Sequence, residues 1–354
     1  MTDPFFMQWH ITDRCPLHCA HCYRGEPKAE LPLDVLRHIL RRLREFVEPR
    51  GLPPLVNFAG GEPLLRRAEL LCLMREAAAA GIECRLLTNG ILLDAAAAAE
   101  LNQAGCSVVQ VSIEGGRATH ESIRGADTFE PALRGARCAR EAGMLVTLSF
   151  TALRRNLTEL DTVAALAREL DARLFASRIV PCGRGEALRD EMLASAEWLD
   201  VMKRCRELRQ AGTQVLLRDP LSAGFCRKRP KGRALGGCAV GHRGLAVESN
   251  GDAYPCRRLP IVVGNLARQG FDEVWASPLL AAFRDRDMLK GRCGACPIRW
   301  RCGGCRAIAF ALSGDPLAED PQCPWPSRPA SRITSWLRRT VPSKTSPLPS
   351  ARRP

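Results

Sequence analysis

Residues 15–23 read Cys15-Pro16-Leu17-His18-Cys19-Ala20-His21-Cys22-Tyr23, a C-x3-C-x2-C run that directly follows the apolar stretch from Phe5 to Ile11. Three thiolates this close together can hold three irons of a [4Fe–4S] cubane, which normally takes four cysteines. With no fourth cysteine nearby, one iron is left open to an exogenous ligand. A zinc loop is the alternative, and it would use a C-x2-C knuckle with a second, distant pair.

Outward from that loop, the chain alternates between apolar runs and helical patterns. Phe6 to Thr12 is the first expected strand. An amphipathic helix follows Leu31-Pro32-Leu33 and runs to about Glu48, with Leu36, Ile39, Leu40 and Leu43 on one face. Further strands are expected at Leu55 to Phe58, Glu83 to Leu87, Ser107 to Ile113, Leu145 to Phe150 and Arg173 to Val180. Helices over Leu65 to Ala80, Asp94 to Ala104, Phe129 to Ala142 and Thr158 to Leu170 separate them, and a long helix from Ser195 to Ala211 with a short strand, Gln214 to Leu217, follows. Strands alternating with helices of this length predict right-handed βαβ units, hence an α/β fold with a parallel sheet. Six strands suit a partial, open (β/α)6 TIM-like barrel. The cysteine loop, Gly60-Gly61-Glu62, Thr88-Asn89-Gly90, Ser112 with Glu114, and Arg178 to Gly185 all fall at strand C-terminal ends, where parallel barrels carry their sites.

The cysteine spacing, with an aromatic residue after the last thiol and Gly-Gly-Glu-Pro after the second strand, resembles the signature of the radical S-adenosylmethionine (SAM) enzymes. That resemblance implies that Cys15, Cys19 and Cys22 hold a [4Fe–4S] cluster whose fourth iron is chelated by the amino and carboxylate groups of SAM. Electron transfer into the sulfonium then yields a 5′-deoxyadenosyl radical. It also implies SAM contacts from Gly60, Gly61 and Glu62, from Asn89, from Ser112 and Glu114 on the fourth strand, and from Arg178 on the sixth. Asp is commoner than Glu114 at its position, and turn capping is the plainer role for this pair. A small polar residue usually stands where this chain has Cys182, which is left without a role.

From Cys238 the cysteines crowd together: Cys238, then Gly251 and Cys256, then Cys293-x2-Cys296-x5-Cys302-x2-Cys305, and finally Cys323. This pattern resembles the SPASM domain, which carries auxiliary [4Fe–4S] clusters behind many radical SAM barrels. The resemblance implies one auxiliary cluster on Cys238, Cys256 and Cys305, with Cys226 the nearest upstream candidate for a fourth ligand. A second would sit on Cys293, Cys296, Cys302 and Cys323. A four-thiolate zinc ribbon is the alternative for the quartet, although the gap between its pairs is short for a ribbon. Asn250-Gly251 favours a type I′ hairpin that would bring Cys238 and Cys256 together. Cys72, Cys84, Cys106, Cys138 and Cys205 have no ligand-like partner and read as small buried hydrophobes.

The expected layout is a radical SAM barrel over 1–218, a basic Gly/Pro linker over 219–237, a SPASM domain over 238–326 and a disordered basic tail over 327–354. Net charge is +14, from 52 basic and 38 acidic residues, but the tail alone holds seven basic residues and no acid. A general nucleic-acid surface is therefore a weak inference. No apolar run reaches the roughly 18 residues a membrane span needs, and no signal peptide precedes the first strand. A cytosolic location is expected, in which so many cysteines serve clusters rather than disulfides.

Auxiliary clusters imply oxidative modification. The first reading is a maturase that crosslinks or oxidises a ribosomally made peptide or protein, fed by an electron donor such as flavodoxin or ferredoxin. A first strand that begins by Phe5 leaves no fused leader-binding domain, so recognition would fall to the barrel rim, the tail or a separate leader-peptide-binding protein. The alternative is a tetrapyrrole-modifying enzyme of the haem-biosynthesis kind, betrayed by propionate binding. A non-catalytic iron–sulfur carrier would leave the open iron and the glycine loop without purpose.

Overall fold

The computed structural model describes residues 3–226 and 235–325. The basic part of the expected linker and the expected disordered tail lie outside the described residues. Six parallel strands run in sequential order, β1 (Phe5–His10), β2 (Pro54–Ala59), β3 (Glu83–Thr88), β4 (Cys106–Ser112), β5 (Leu145–Ala152) and β6 (Arg173–Arg178). Helices α1 (Leu33–Val47), α2 (Arg67–Ala79), α3 (Ala95–Gln103), α4 (Arg117–Arg124), α5 (Phe129–Glu141) and α6 (Leu160–Glu169) connect them, and α7 (Ser195–Gln210) leads to the short β7 (Val215–Leu216). The strand order is linear, so the α/β barrel is open.

Period-two alternation builds this sheet. Along β1, Met7 and Trp9 are fully buried on the helix side, and along β4 Val109 and Val111 do the same while Gln110 and Ser112 face inward. α1 answers with Leu36, Ile39, Leu40 and Leu43, all buried. Each such side chain contributes about 1.5–3 kcal/mol on leaving water. The Asp94 carboxylate caps α3 by accepting from the Ala97 amide at 2.7 Å.

The sheet continues beyond the barrel. β8 (Gly244–Val247) pairs parallel with β1, followed by antiparallel β9 (Asp252–Tyr254) and β10 (Gly264–Asn265). The β8–β9 hairpin is not the expected type I′ turn. Gly251 is left-handed at φ +86° but Asn250 is not, and the Gly251 amide closes a four-residue turn on the Glu248 carbonyl at 2.9 Å. Asn250 instead accepts from the Asp252 amide at 3.1 Å, an Asx turn that holds it out of the left-handed region. The last helices are α8 (Phe271–Trp275), α9 (Pro278–Arg284), α10 (Gly291–Gly294) and α11 (Arg306–Ser313). α8 packs Phe271 on Phe46 of α1, with ring centroids 5.6 Å apart. Within the expected linker, Pro220–Phe225 forms a 3-10 turn gripped by Trp325, whose indole N–H donates to the Leu221 carbonyl at 2.8 Å.

Candidate functional site

The C-terminal ends of β1 to β6 surround a cavity of about 920 Å³. One wall is the cysteine loop with Cys15, Cys19 and Cys22; the next carries Gly60, Gly61 and Asn89. Its floor is small and polar: Gln110 and Ser112 from β4, Ser149 and Thr151 from β5, Ser177 from β6. The far wall comes from Gly183 and Arg184 after β6 and from Arg257 and Arg258 after β9.

The cysteine loop is clamped from two sides. The Gly61 amide donates to the Thr12 carbonyl at 2.8 Å and the Glu62 amide to the Arg14 carbonyl at 2.7 Å. A Cβ on Gly61 would stand 2.3 Å from that Arg14 oxygen, so only glycine lets the β2 turn lie against the loop. On the other side the Gly185 amide donates to the Cys22 carbonyl at 3.1 Å, and left-handed Gly183 abuts the Tyr23–Arg24 backbone. The Glu62 carboxylate, fully buried, accepts from the Asn89 amide and the Thr88 hydroxyl at 2.9 Å and from the Leu64 amide at 3.1 Å. Burial pushes its pKa up to about 7 against those donors. It thus ties the β2 and β3 turns together.

Donors aim at the sulfurs. The Asn89 side-chain amide lies 3.9 Å from Cys15 Sγ, and an Arg124 Nη lies 3.7 Å from Cys19 Sγ. Burial raises the Cys15 and Cys19 thiols, so without a partner they would stay protonated. Amide and guanidinium donors beside buried sulfur suit metal-bound thiolates. Together with Cys22, which lines the same open space, Cys15 and Cys19 fit an iron–sulfur cluster with one free position.

Two residues expected at this site point elsewhere. Glu114 is fully buried behind the wall, taking Arg124 at 2.6 Å, His21 at 3.1 Å and the Thr151 amide at 2.8 Å. Burial would raise its pKa, but the Arg124 and His21 charges hold it down to about 2. Both its oxygens are engaged by the protein itself. Arg178 turns away from the cavity to pair with Asp219 at 2.8 Å and Asp320 at 3.0 Å, and it also donates to Gln322. It joins the barrel to the C-terminal segment. Sequence reasoning did not single out Gln110, Ser149, Thr151, Ser177, Arg257 and Arg258; the available signal was polar residues at alternate positions of strands otherwise apolar.

In the C-terminal region Cys293, Cys296, Cys302 and Cys323 line one small cavity, closed by Leu221, Ile298 and Trp325. The Gly304 amide approaches Cys302 Sγ at 3.4 Å, and Cys293 Sγ receives the Asp320 amide at 3.4 Å and Arg306 at 3.7 Å. Burial lifts Cys302 well above an ordinary thiol and Cys323 to about 11. Four sulfurs around one cavity, two of them buried beneath N–H donors, fit a fully ligated cluster. Cys238 lies within electrostatic reach of Cys305, Cys256 leads into the large cavity through Arg257, and Cys182 lies within electrostatic reach of both Cys256 and Cys22. Cys226 is exposed.

Residues 9–168 match the model of the radical SAM superfamily, and residues 238–297 match SPASM, an iron–sulfur cluster-binding domain. The chain is 31% identical over 345 residues to an AdoMet-dependent heme synthase of Methanosarcina barkeri, covering 90% of this chain and 96% of that protein. This chain belongs to the radical SAM superfamily. It is also 30% identical over 337 residues to a PqqA peptide cyclase of Gluconobacter oxydans, with 91% of each covered. Streptococcus suis SuiB bound to its precursor peptide SuiA shares the fold, with a TM-score of 0.73 at 17% identity, over 91% of this chain and 76% of that one. As a radical SAM enzyme with a SPASM domain, the protein uses iron–sulfur clusters and SAM as cofactors. Among the described residues no helix is long and apolar enough to cross a membrane.

Proposed function

We propose that this radical SAM enzyme oxidises or crosslinks a ribosomally made peptide in the cavity between the cysteine loop and the Cys256 hairpin. Cys15, Cys19 and Cys22 hold the SAM-binding cluster. Gly60, Gly61, Asn89 and Ser112 shape the SAM pocket, with Glu62 bracing it. Glu114 and Arg178 are positioning residues: one fixes Arg124 and His21, the other fixes the C-terminal segment. Cys293, Cys296, Cys302 and Cys323 hold one auxiliary cluster, and Cys238, Cys256 and Cys305 a second, with Cys226 the upstream candidate for its remaining position. When bound, the cluster and SAM supply one-electron chemistry that removes a hydrogen atom from an unactivated C–H bond. The protein's part is to seat the substrate and exclude water, which the clamped loop and small polar floor serve.

The observation that carries this reading is that a single cavity is lined both by the three-cysteine loop and by the residues following Cys256. A substrate there touches the site of hydrogen removal and lies beside the auxiliary region, which suits a two-electron oxidation. PqqA peptide cyclase and peptide-bound SuiB support a peptide. A reduced flavodoxin or ferredoxin would supply electrons, a separate leader-binding protein could deliver the peptide, and unpaired cysteines favour the cytoplasm. A second reading, a tetrapyrrole oxidatively decarboxylated at propionates, is favoured by the heme synthase relative. Anaerobic incubation with SAM, a reductant and candidate peptides should yield 5′-deoxyadenosine together with a peptide lighter by two hydrogens. SAM cleavage coupled only to a tetrapyrrole would replace the first reading with the second.

A further inference from the structure

Six arginines line the large cavity, and they divide into two sets. Arg14 pairs with Glu30, Arg24 with Asp13 and Glu248, and Arg124 with Glu114. Arg184, Arg257 and Arg258 meet no carboxylate among the described residues. Arg184 donates to the Cys19 carbonyl at 3.2 Å, Arg257 to the Gln8 amide oxygen at 3.1 Å, and Arg258 to the Arg178 carbonyl at 2.7 Å. Each of these contacts anchors a guanidinium through one nitrogen and leaves its charge unanswered. Arg258 Nε is buried with no partner at all.

The three share one wall. Arg184 follows Gly183, which abuts the Tyr23–Arg24 backbone, and the Arg257 guanidinium lies 5.8 Å from the Tyr23 ring centroid. Arg257 and Arg258 are successive residues and both line the cavity. Two adjacent, partly buried cations without a paired carboxylate are costly unless an anion arrives. The acids of the lining are Asp13, already paired with Arg24, and Glu26, exposed at the rim. Guanidinium forks match carboxylates in a bidentate manner.

We propose that Arg184, Arg257 and Arg258 form a subsite for a carboxylate of the substrate. The inference rests on the proposed function only in placing the substrate in this cavity. It narrows the substrate class to acids, whether a glutamate or aspartate side chain of a peptide or the propionate of a tetrapyrrole. The subsite orients the substrate carbon skeleton between the cysteine loop and the hairpin after Cys256. A role in offsetting the charge of a neighbouring cluster would be indifferent to the substrate's own acid.

The test is a binding measurement on the reconstituted, full-length enzyme under anaerobic conditions with saturating SAM. One arm compares a propionate-bearing porphyrin with its methyl ester by absorbance. The other compares a glutamate-bearing peptide with its glutamine twin by fluorescence anisotropy. One acid is expected to bind about tenfold or more tightly than its neutral twin, and the arm that shows it names the source. R257Q/R258Q should erase the preference while keeping its iron, R257K/R258Q should retain part of it, and R14Q should leave it intact. Equal binding of acid and neutral probes in both arms, or no measurable binding of either acid, overturns the proposal. So does a preference that survives the double variant, or one seen only without SAM, which would assign these arginines to the SAM carboxylate. Binding is read without turnover, so a wild-type enzyme that fails to cleave SAM would sink the proposed function and leave this result standing.

Discussion

Cys15, Cys19 and Cys22 stand on the wall of a cavity of about 920 Å³ with a polar floor, whereas Cys293, Cys296, Cys302 and Cys323 surround a small one closed by Leu221, Ile298 and Trp325. The donors are alike and the surroundings opposite. Three sulfurs beside open space leave a coordination position and room for reactants. Four sulfurs under an apolar lid, if all four ligate as proposed, leave neither, and such a site passes electrons or holds structure rather than admitting a substrate. Both receive N–H donors from neighbouring residues, so it is donor count and access, more than local polarity, that separates a reactive centre from a saturated one.

The sharpest way to break that contrast is to remove one sulfur from each side. Cys19→Ala should reduce 5′-deoxyadenosine formation to the assay background while the C-terminal quartet keeps its iron. Cys296→Ala should lose product yet still cleave SAM. Iron analysis with product mass measurement checks both, and an unchanged iron content in Cys19→Ala would contradict the assignment of the loop.

Next in size is the bolt between the two regions. Arg178→Ala leaves Asp219 and Asp320 buried without their cation, a loss of about 3–5 kcal/mol that a thermal midpoint would register. Arg178→Lys should recover only part, because an ammonium cannot span two carboxylates as the fork does. If Arg178 instead touched SAM, the lysine variant would weaken SAM binding at an unchanged midpoint.

That alternative was the natural one from sequence, and the pairing of Arg178 with Asp219 and Asp320 shows what a sequence hides. Cys15 to Tyr23 and Gly60-Gly61-Glu62 are legible because their chemistry is written in adjacent residues. The six strands were legible too, each within a few residues of its observed bounds, because period-two patterning is local. The roles of Glu114 and Arg178 were not. Arg124 reaches Glu114 from α4, a short helix to which no expected element was assigned, and Asp320 reaches Arg178 across 142 residues. The pairing of β8 with β1 is likewise non-local, and nothing in Gly244–Val247 itself announces its neighbour. Side chains at strand ends alternate in direction, so Ser177 and Ile179 face the cavity while Arg178 between them cannot.

Acid should then weaken both regions through buried histidines, two in the barrel and one in the C-terminal region. In the barrel, burial and the Arg24 charge lower His10 to about 4. Burial, helped by the Arg124 charge, lowers His120 on the barrel wall from 6.5 to about 4, and burial with Arg286 does the same for His242 near α9. The unfolded chain binds protons that the folded one refuses between those values. This stability is therefore complete above pH 6.5 and is lost as pH falls through 4. His120, 1% exposed, should account for ~3 kcal/mol, and the less buried His242 for less. Denaturant midpoints measured from pH 7 to pH 4 should fall, and His120→Gln should flatten that limb more than His242→Gln.

The smallest effects should come from matched methyl groups. Gly61→Ala places a Cβ 2.3 Å from the Arg14 carbonyl, and Gly224→Ala places one 2.2 Å from the Trp325 ring. Each should cost about 1–3 kcal/mol as an overpacked contact. Backbone cannot swing aside, so the first strain displaces the cysteine loop; a side chain can, although Trp325 is held by its bond to Leu221 and by edge contact with Phe225 at 5.1 Å. Gly61→Ala should therefore lower SAM cleavage with the quartet intact, whereas Gly224→Ala should lift the lid and speed the loss of quartet iron to a chelator. Equal chelator sensitivity in the two variants would mean that the closed site owes its protection to its sulfurs alone and not to the tryptophan above them.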